Sequence, residues 1–292
     1  MLNGTEDTPV SFTAGMFENA FQDVEGAPLA SLTVVTLPAT GALKLSNVAV
    51  TPGQVIAAAN LGNLTYEPAS NDNGTKTFTV TASDGSLSSA AATVTINLAA
   101  VNDAPVATAS PGNTVATVQT PVAVDPAFTV TDVDHTALAS ATVTVSGGYQ
   151  ADQDVLGFSN TGAQSHGNIS ASFNTSTGVL TLVSAQASAT LAQWQAALRA
   201  VTFSNSSNTP NVANRTISYV VNDGGLPSAA ATKTFVPDYN LAPAFTTAPT
   251  PVAAMQGSSV FLNAVVSGWP TPTLQWRRNG VPIEGATRNV LA

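Results

Sequence analysis

An internal repeat is the sequence feature that most constrains how this chain can fold. Residues 66–85 read YEPASNDNGTKTFTVTASDG, and residues 201–224 read VTFSNSSNTPNVANRTISYVVNDG. Further upstream, residues 17–34 match residues 128–143. A sequence that recurs in this way indicates that one structural unit is present twice. The chain is therefore predicted to contain two related domains rather than one domain of 292 residues.

The second copy is longer than the first by about 30 residues, because Asp23 and Asp132 lie 109 positions apart whereas Asp84 and Asp223 lie 139 apart. The extra residues are expected to include a hairpin-like insertion between Gly147 and Gly178. The motif VNDAP closes the first copy and YNLAP closes the second. The predicted domains are residues 1–103, 104–240 and 241–292.

The local pattern predicts strands almost throughout. Short segments rich in Val, Thr, Ile and Phe, such as TFTVTA at 77–82, alternate with clusters of Gly, Asn, Asp and Pro. Alternation with period two and turn signals every 8–12 residues is typical of an all-β sandwich or barrel. Residues 187–200 alone have a helical pattern, with Leu191, Trp194 and Leu198 on one face. A helix there is predicted to cross between two sheets.

The charge balance restricts the possible partners. Charged residues make up 9% of the chain, the formal net charge is −9 and the sequence contains 39 Thr but 3 Lys. Neutral polar side chains must therefore cover much of the surface. A phosphate backbone or an anionic membrane would be repelled, so cations are the charged ligands that this composition favours. The absence of Cys excludes disulfides, thiolate metal sites and Cys nucleophiles.

The sequence has neither an apolar run of the roughly 18 residues that a spanning helix needs nor the features of an export signal at its N-terminus. An export signal, if the protein is secreted, is expected outside this chain. The sequence also lacks the order of a Ser-His-Asp triad, a His-rich metal motif, a phosphate loop and a cofactor fingerprint. The pair Asp152 and Asp154 is expected to be structural, because no orienting partner is evident. We therefore expect no enzymatic activity.

Residues 264–280, AVVSGWPTPTLQWRRNG, resemble strands B and C of an immunoglobulin-like domain of the intermediate type. Trp276 would be the core Trp of strand C, and Ala264 stands where a Cys is expected in strand B. Asn279 and Gly280 predict a two-residue hairpin turn. Residues 241–292 are about half of such a sandwich, so an incomplete immunoglobulin-like domain is predicted.

Residues 1–240 resemble the tandem cadherin-like repeats of large bacterial surface and secreted proteins. The motifs that carry the resemblance are NDNGTKTFTVTASDG and VNDAP in the first unit, and TDVDH and VVNDGG in the second. The resemblance implies tandem Greek-key β-sandwiches arranged as beads on a string, with calcium at the domain junctions. It also implies a location outside the cell or on its surface, and a role in adhesion or spacing.

Calcium takes six to eight oxygen ligands, which Asp, Asn and Glu in loops can supply. The resemblance places three carboxylates at the top of the second unit, beneath two linker residues, with further ligands from the first unit. The expected ligands are Asp132, Asp134, Asp223, Asn102, Asp103, Asp72 and Glu6, and the equivalent set at the top of the first unit is Asp23, Glu25 and Asp84. The competing interpretation is that these side chains cap their own turns. His135 and His166 are expected to face solvent rather than bind metal.

Two departures from the pattern limit the calcium prediction to the first junction. Leu241 stands where the first linker has Asp103, so the second junction is expected to lack calcium. Val118 and Gln119 replace Glu6 and Asp7, which removes acidic ligands from the second unit.

The leading functional hypothesis is a non-enzymatic, calcium-stiffened extracellular segment of a bacterial adhesin or surface stalk. Its expected partners are calcium, neighbouring domains of a longer chain, and surface proteins or glycans. The alternative is an accessory carbohydrate-binding or spacer region of a secreted polysaccharide-active enzyme. Carbohydrate binding would need exposed aromatic side chains, for which the sequence offers Tyr149, Phe158, Trp269 and Tyr239.

Overall fold

A computed structural model describes residues 1–117, 119–207, 210–238 and 241–291. The chain separates into two compact units, residues 1–102 and residues 103–292. The predictions made for Val118 and Tyr239 fall outside the described residues.

The first unit consists of short strands joined by tight loops. Its strands are β1 (Leu2–Thr5), β2 (Val10–Ser11), β3 (Ser31–Thr36), β4 (Ala42–Leu45), β5 (Val48–Ala49), β6 (Val55–Ala57), β7 (Leu64–Glu67), β8 (Gly74–Ser83) and β9 (Ala92–Ala99). A helix, α1 (Ala14–Glu18), follows β2, and a 3₁₀ helix (Ala58–Asn63) follows β6. One sheet has the order β1-β9-β8-β3-β6, and the other has the order β2-β7-β4-β5.

The period-two pattern explains how these sheets enclose a core. On β8, Phe78 and Val80 are buried, whereas Thr77 and Thr79 point outward. Successive side chains of a strand face opposite sides of the sheet, so the apolar set of each strand meets the apolar set of the opposing sheet. The predicted all-β sandwich is confirmed.

The second unit begins with a similar set of strands. They are β10 (Val106–Thr108), β11 (Thr114–Thr117), β12 (Val122–Ala123), β13 (Thr129–Thr131), β14 (Ser140–Gly147), β15 (Asp154–Gly157), β16 (Ile169–Asn174), β17 (Val179–Ser184), β18 (Thr202–Asn205), β19 (Arg215–Asn222) and β20 (Ala231–Asp238). Its helices are α2 (Ala163–His166), a 3₁₀ turn (Ala185–Ala187) and α3 (Leu191–Arg199). The sheets have the orders β11-β20-β19-β14-β17-β16, β12-β18-β15 and β10-β13.

The strand orders confirm the internal repeat. The series β11-β20-β19-β14-β17 corresponds to β1-β9-β8-β3-β6, and β12-β18-β15 corresponds to β2-β7-β4. In both units the first strand of the larger sheet pairs in parallel with the last: Leu2 is opposite Ile96, and Thr114 is opposite Phe235.

The predicted crossover helix is confirmed as α3, which runs from β17 in one sheet to β18 in the other. It starts later than predicted because Thr190 caps it, accepting the Gln193 N–H while Gln193 bonds back to the cap residue. Trp194 and Leu198 are fully buried, and the Trp194 Nε1–H donates to the Leu138 carbonyl at 2.8 Å.

Two details of the sequence prediction are wrong. The insertion between Gly147 and Gly178 is not a hairpin: β15 joins one sheet by pairing with β18, and β16 joins the other by pairing with β17. The segment at 187–200 is also not the only helical one, since α1 and α2 are helical too. Helices of four or five residues are too short to show a 3.6-residue hydrophobic period.

Residues 241–291 form small sheets of their own. The strands are β21 (Leu241–Thr247), β22 (Leu262–Asn263), β23 (Val265–Trp269), β24 (Arg277–Arg278), β25 (Val281–Pro282) and β26 (Val290–Leu291), paired as β21-β23, β22-β26 and β24-β25. The predicted hairpin turn is confirmed, with positive φ angles at Asn279 and Gly280 between β24 and β25. Ala264 and Trp276 line one small cavity, and Ala264 is buried. The separation of this segment as a third domain stays a prediction.

A buried ion pair crosses the second unit. The Asp154 Oδ2 atom accepts the Arg215 Nε–H at 2.7 Å, and both side chains are inaccessible to solvent. Asn205 donates to Asp154 Oδ1 at 2.6 Å, and the backbone N–H of Gln150 donates to Oδ2 at 2.8 Å. Asp154 is therefore a structural residue, as expected, although Arg215 is an orienting partner that sequence spacing did not reveal.

Replacing Asp154 with Asn should destabilise the second unit strongly, because it leaves the Arg215 charge buried without a counter-ion. We expect a loss of about 3–5 kcal/mol in the free energy of unfolding, measured by urea denaturation of the full chain. The matched control is Asp152→Asn, at an exposed neighbouring carboxylate, with an expected change within about 0.5 kcal/mol. Equal effects of the two substitutions would contradict the structural role of the pair.

Candidate cation site in the second unit

Asp132 lies at the edge of the second unit, directly after β13. Its Oδ1 atom accepts the backbone N–H groups of Asp134 at 2.9 Å and His135 at 2.8 Å. This is the turn-capping geometry typical of Asp. The cap fixes the carboxylate with one oxygen toward its own turn and leaves Oδ2 free of that role.

Asp223 lies directly after β19 and caps its turn in the same way. Its Oδ1 atom accepts the N–H groups of Gly225 at 2.5 Å and Leu226 at 2.6 Å. Gly224 has a φ of +114°, which residues with a Cβ rarely adopt. The NDGG sequence therefore produces a tight turn that holds the second carboxylate rigidly.

The loops after β13 and β19 bring these two carboxylates together with His135. One ligand atom from each of the three side chains lies within 4.8 Å of the others. The His135 Nδ1 atom is 3.5 Å from Asp132 Oδ1 and 3.9 Å from Asp223 Oδ2. Both Asp side chains have no exposed surface, and His135 is 41% exposed. Of the clusters that the described residues form, this one alone has at least three such groups so close.

The Asp132 Oδ2 atom is buried and has no hydrogen-bond partner among the described residues. A buried oxygen of this kind is costly unless a positive charge compensates it. Two carboxylates at this separation also repel each other when both are charged. Both effects would be reversed by a cation bound between the two Asp side chains.

Two further predicted ligands, Asp103 and Asp134, are joined to each other by a hydrogen bond. The backbone N–H of Asp103 donates to Asp134 Oδ2 at 2.6 Å. This bond ties the first residue of the second unit to the turn that Asp132 caps. Asp134 is exposed, and Asp103 is half-buried.

In the first unit, Glu6 is buried and bound to the segment that follows β9. Its Oε1 atom accepts the Val101 N–H at 2.6 Å, and its Oε2 atom accepts from Asn73 Nδ2 at 3.2 Å. Glu6 thus fixes the chain just before Asn102, which is half-buried.

The Asp72 carboxylate forms an ion pair with Lys76. Its Oδ1 atom accepts from Lys76 Nζ, and its Oδ2 atom accepts from Thr40 Oγ1. These hydrogen bonds from Lys76 and Thr40 hold the pKa of the Asp72 carboxyl below its usual value of 3.8. Both oxygens therefore have partners of their own within the first unit.

Comparison with known families identifies the two ends of the chain. Residues 1–100 match the sequence model of the bacterial cadherin-like domain, and residues 243–291 match that of the immunoglobulin I-set domain. Residues 1–100 are a bacterial cadherin-like domain. The resemblances stated from the sequence are confirmed for these segments.

A curated relative is halomucin of Haloquadratum walsbyi, which is 34% identical over 103 residues. That match covers 35% of this chain and 1% of the length of halomucin. Among solved structures, human CDH23 EC21-23 is similar over 99% of this chain and 90% of its own, with 12% identity and a TM-score of 0.47. Protocadherin Gamma B2 extracellular cadherin domains 1-5 are similar over 91% and 43%, with 13% identity and a TM-score of 0.39.

The cadherin-like domain does not repeat the cluster of the second unit. Asp23 Oδ1 accepts the Ala27 N–H at 2.9 Å, and Asp84 Oδ1 accepts the N–H groups of Ser86 and Leu87. The two backbone hydrogen bonds hold the pKa of the Asp84 carboxyl below its usual value. Glu25 is exposed. These three side chains do not form a compact group like that around Asp132 in the described chain.

The expectation that both His side chains face solvent is wrong for His166, which is buried against Phe158. Its Nδ1 atom accepts the Thr161 N–H at 3.2 Å, and burial lowers the pKa of the imidazole. His135 is half-exposed, but its Nδ1 atom lies in the carboxylate cluster. The sequence signal for this contact was the spacing of three residues between Asp132 and His135, because the turn that Asp132 caps brings the His135 side chain back toward the carboxylate.

The aromatic side chains expected for carbohydrate binding differ in their exposure, and Tyr239 lies outside the described residues. Tyr149 and Phe158 are partly buried against the core of the second unit. Trp269 is 38% exposed. Within the described ranges, no helix is both long and apolar enough to cross a membrane.

Replacing Lys76 with Met in the cadherin-like domain should raise the pKa of Asp72 toward 3.8, because the strongest hydrogen bond to its carboxylate is lost. The Asp72 pKa is lowered in the folded state, so its stabilising contribution is present above pH 3.8 and is lost as the pH falls through the folded value. NMR titration of the carboxyl carbon would measure the change. In the control Lys44→Met, which removes the partner of Glu67, the Asp72 titration should not move. An unchanged midpoint in the Lys76 variant would contradict the assignment.

Proposed function

We propose that this chain is a non-enzymatic, calcium-binding segment of an extracellular or surface adhesin-like protein, in which the ion stiffens the start of the second unit. The observation that carries the proposal is the buried, unpartnered Oδ2 atom of Asp132, which lies beside the carboxylate of Asp223. The cadherin-like and immunoglobulin-like families are adhesion-type domains, which supports an adhesin-like role.

The donor set suits a hard divalent cation. Asp132 and Asp223 each keep one oxygen for their own turn, so that capping and metal binding use different atoms of the same side chain. Asp134 lies on the same loop as Asp132, and its carboxylate accepts the backbone N–H of Asp103; we propose that Asp134 and Asp103 add carboxylates to the site. Oxygen-rich sites on rigid loops are what calcium prefers, with waters and backbone carbonyls completing six to eight ligands. The ligand roles predicted for Glu6, Asp72 and Asn102 remain predictions.

His135 offers a competing way to balance the two negative charges. A protonated imidazole 3.5–3.9 Å from the carboxylate oxygens would offset part of their repulsion without any metal. Its nitrogen is not a preferred calcium ligand. We propose that a bound ion, rather than a charged His135, balances the two carboxylates.

A bound ion would join the loops after β13 and β19 and, through the bond between Asp134 and the Asp103 N–H, the first residue of the unit. A ligand that binds only the folded state stabilises it by an amount that grows with ligand concentration above the dissociation constant. The partners we propose are calcium, the neighbouring domains of a longer chain, and surface proteins or glycans that its distal parts contact. The similarity to a short part of halomucin fits a segment of a much longer protein.

Asp223→Asn should abolish calcium-dependent stabilisation of the full chain, because it removes one charge from the cluster and keeps an oxygen for the turn. In the unsubstituted chain, about 1–10 mM calcium, the range suited to extracellular modules, should raise a melting transition by several degrees relative to EDTA. Differential scanning calorimetry would measure both transitions.

The matched control is Asp84→Asn, at the same position of the equivalent hairpin in the cadherin-like domain, where the capping bonds are alike but no cluster forms. This variant should keep the full calcium shift. His135→Gln tests the competing explanation, since it removes the imidazole and should leave the calcium shift in place. The absence of any shift at 10 mM calcium in the unsubstituted chain would refute the proposal.

A further inference from the structure

His135 is the member of the carboxylate cluster that a calcium ion leaves unused, because calcium prefers oxygen ligands. Its Nδ1 atom lies 3.5 Å from Asp132 Oδ1 and 3.9 Å from Asp223 Oδ2. The side chain is 41% exposed, but Nδ1 itself is buried and has no hydrogen-bond partner among the described residues. Buried polar atoms normally have such a partner. The position of this nitrogen therefore needs an explanation beyond calcium.

Asp132 has a second atom of this kind. Its side chain is inaccessible to solvent, and its Oδ2 atom is also buried without a hydrogen-bond partner in the described parts of the chain. A carboxylate oxygen from each of Asp132 and Asp223 and a ring nitrogen of His135 lie within 4.8 Å of one another. A single ion among these atoms would bind the unpartnered oxygen and the unpartnered nitrogen together.

The local turns hold these ligands in place before any ion binds. The His135 backbone N–H donates to Asp132 Oδ1 at 2.8 Å, which closes the turn that carries both side chains. Asp223 is fixed in its own turn by the N–H groups of Gly225 and Leu226. Ligands that are already ordered lose little conformational freedom on binding. The cost of ordering therefore falls mainly on the half-exposed His135 side chain.

Two carboxylates and one imidazole are a donor set that suits zinc. Zinc is bound by His nitrogen at about 2.0–2.1 Å and by Asp oxygen at about 2.0–2.2 Å, and three protein ligands with one water are a frequent arrangement. The chain contains no Cys and two His. The other one, His166, packs against Phe158 and accepts the Thr161 N–H with its Nδ1 atom. His135 is therefore the nitrogen ligand that the fold offers to zinc.

We propose that zinc competes with calcium for this cluster and binds Asp132, Asp223 and the Nδ1 atom of His135. The inference rests on the proposed function in so far as the two carboxylates bind a cation, and it adds the ligand that distinguishes one ion from the other. Zinc and calcium exclude each other because both need the oxygens of Asp132 and Asp223. Only zinc needs His135, so one substitution separates the two ions.

The test is to titrate zinc into the metal-free full chain by isothermal titration calorimetry, and to compare the unsubstituted chain with His135→Gln. We expect His135→Gln to weaken zinc binding at least about tenfold, since the loss of a group that merely supports a ligand already costs about 10–100-fold. The calcium shift of the melting transition should persist in this variant, which also shows that it is folded. The control His166→Gln should bind zinc as the unsubstituted chain does, whereas Asp223→Asn should lose both ions.

Two further measurements locate the zinc ion. In nitrogen NMR of the imidazole rings, the His135 Nδ1 resonance should move when zinc is added and stay in place when calcium is added. The His166 resonances should not respond to either ion. In calorimetric melts, saturating zinc should abolish the further shift that calcium otherwise produces, because the two ions compete for the same oxygens.

Equal zinc affinity in the His135→Gln and unsubstituted chains would overturn the inference. Zinc and calcium shifts that add would also overturn it, since they would place the ions at separate sites. A calcium shift without His135-dependent zinc binding refutes the inference and leaves the proposed function standing. His135-dependent zinc binding without a calcium shift supports the inference and refutes calcium as the stiffening ion.

Discussion

In both units, the pairing of strands that are distant in sequence decides which loops can meet. Because β1 and β9 run together, Glu6, which follows one strand, lies 2.6 Å from the N–H of Val101, which follows the other. In the second unit β14 pairs with β19, with Ser140 opposite Asn222, and this pairing brings Asp223 to the loop between β13 and β14 that carries Asp132. The carboxylate cluster is a consequence of this pairing, since it lies at the loops that the pairing aligns.

Two of the few basic residues of this chain are buried and join segments that are distant in sequence. Of its 8 basic residues, Arg215 and Lys233 are buried and hydrogen-bonded to Asp154 and Ser110. Buried ions are tolerated only where their hydrogen-bonding groups are satisfied, and both networks fasten segments that are distant in sequence. The strand faces that point to solvent carry Thr instead, which explains how so weakly charged a chain covers its surface.

Capping and metal binding, which compete as explanations of acidic turns, are compatible in this fold. Asp84 and Asp223 occupy the same position of equivalent hairpins, and each caps its turn with Oδ1. Only Asp223 faces another carboxylate, because the loop after β13 lies opposite it. The turn is therefore encoded locally, whereas the carboxylate cluster depends on a second loop about 90 residues away in the chain.

The sequence by itself determined the strands, the internal repeat, the hairpin turn at Asn279 and Gly280, and the helix around Trp194, because each rests on local periodicity or turn chemistry. The resemblance to cadherin-like repeats also placed Asp132 and Asp223 among the predicted calcium ligands, and their role as ligands stays a prediction. Only the tertiary structure decided that Asp72 is engaged by Lys76, that His135 faces the carboxylates, that His166 is buried, and that Arg215 accompanies Asp154. Each of these outcomes depends on which side chain lies across a sheet or a loop. Sequence periodicity does not identify that neighbouring side chain. It indicates on which face of a strand or helix a residue lies, but not which residues pack against that face.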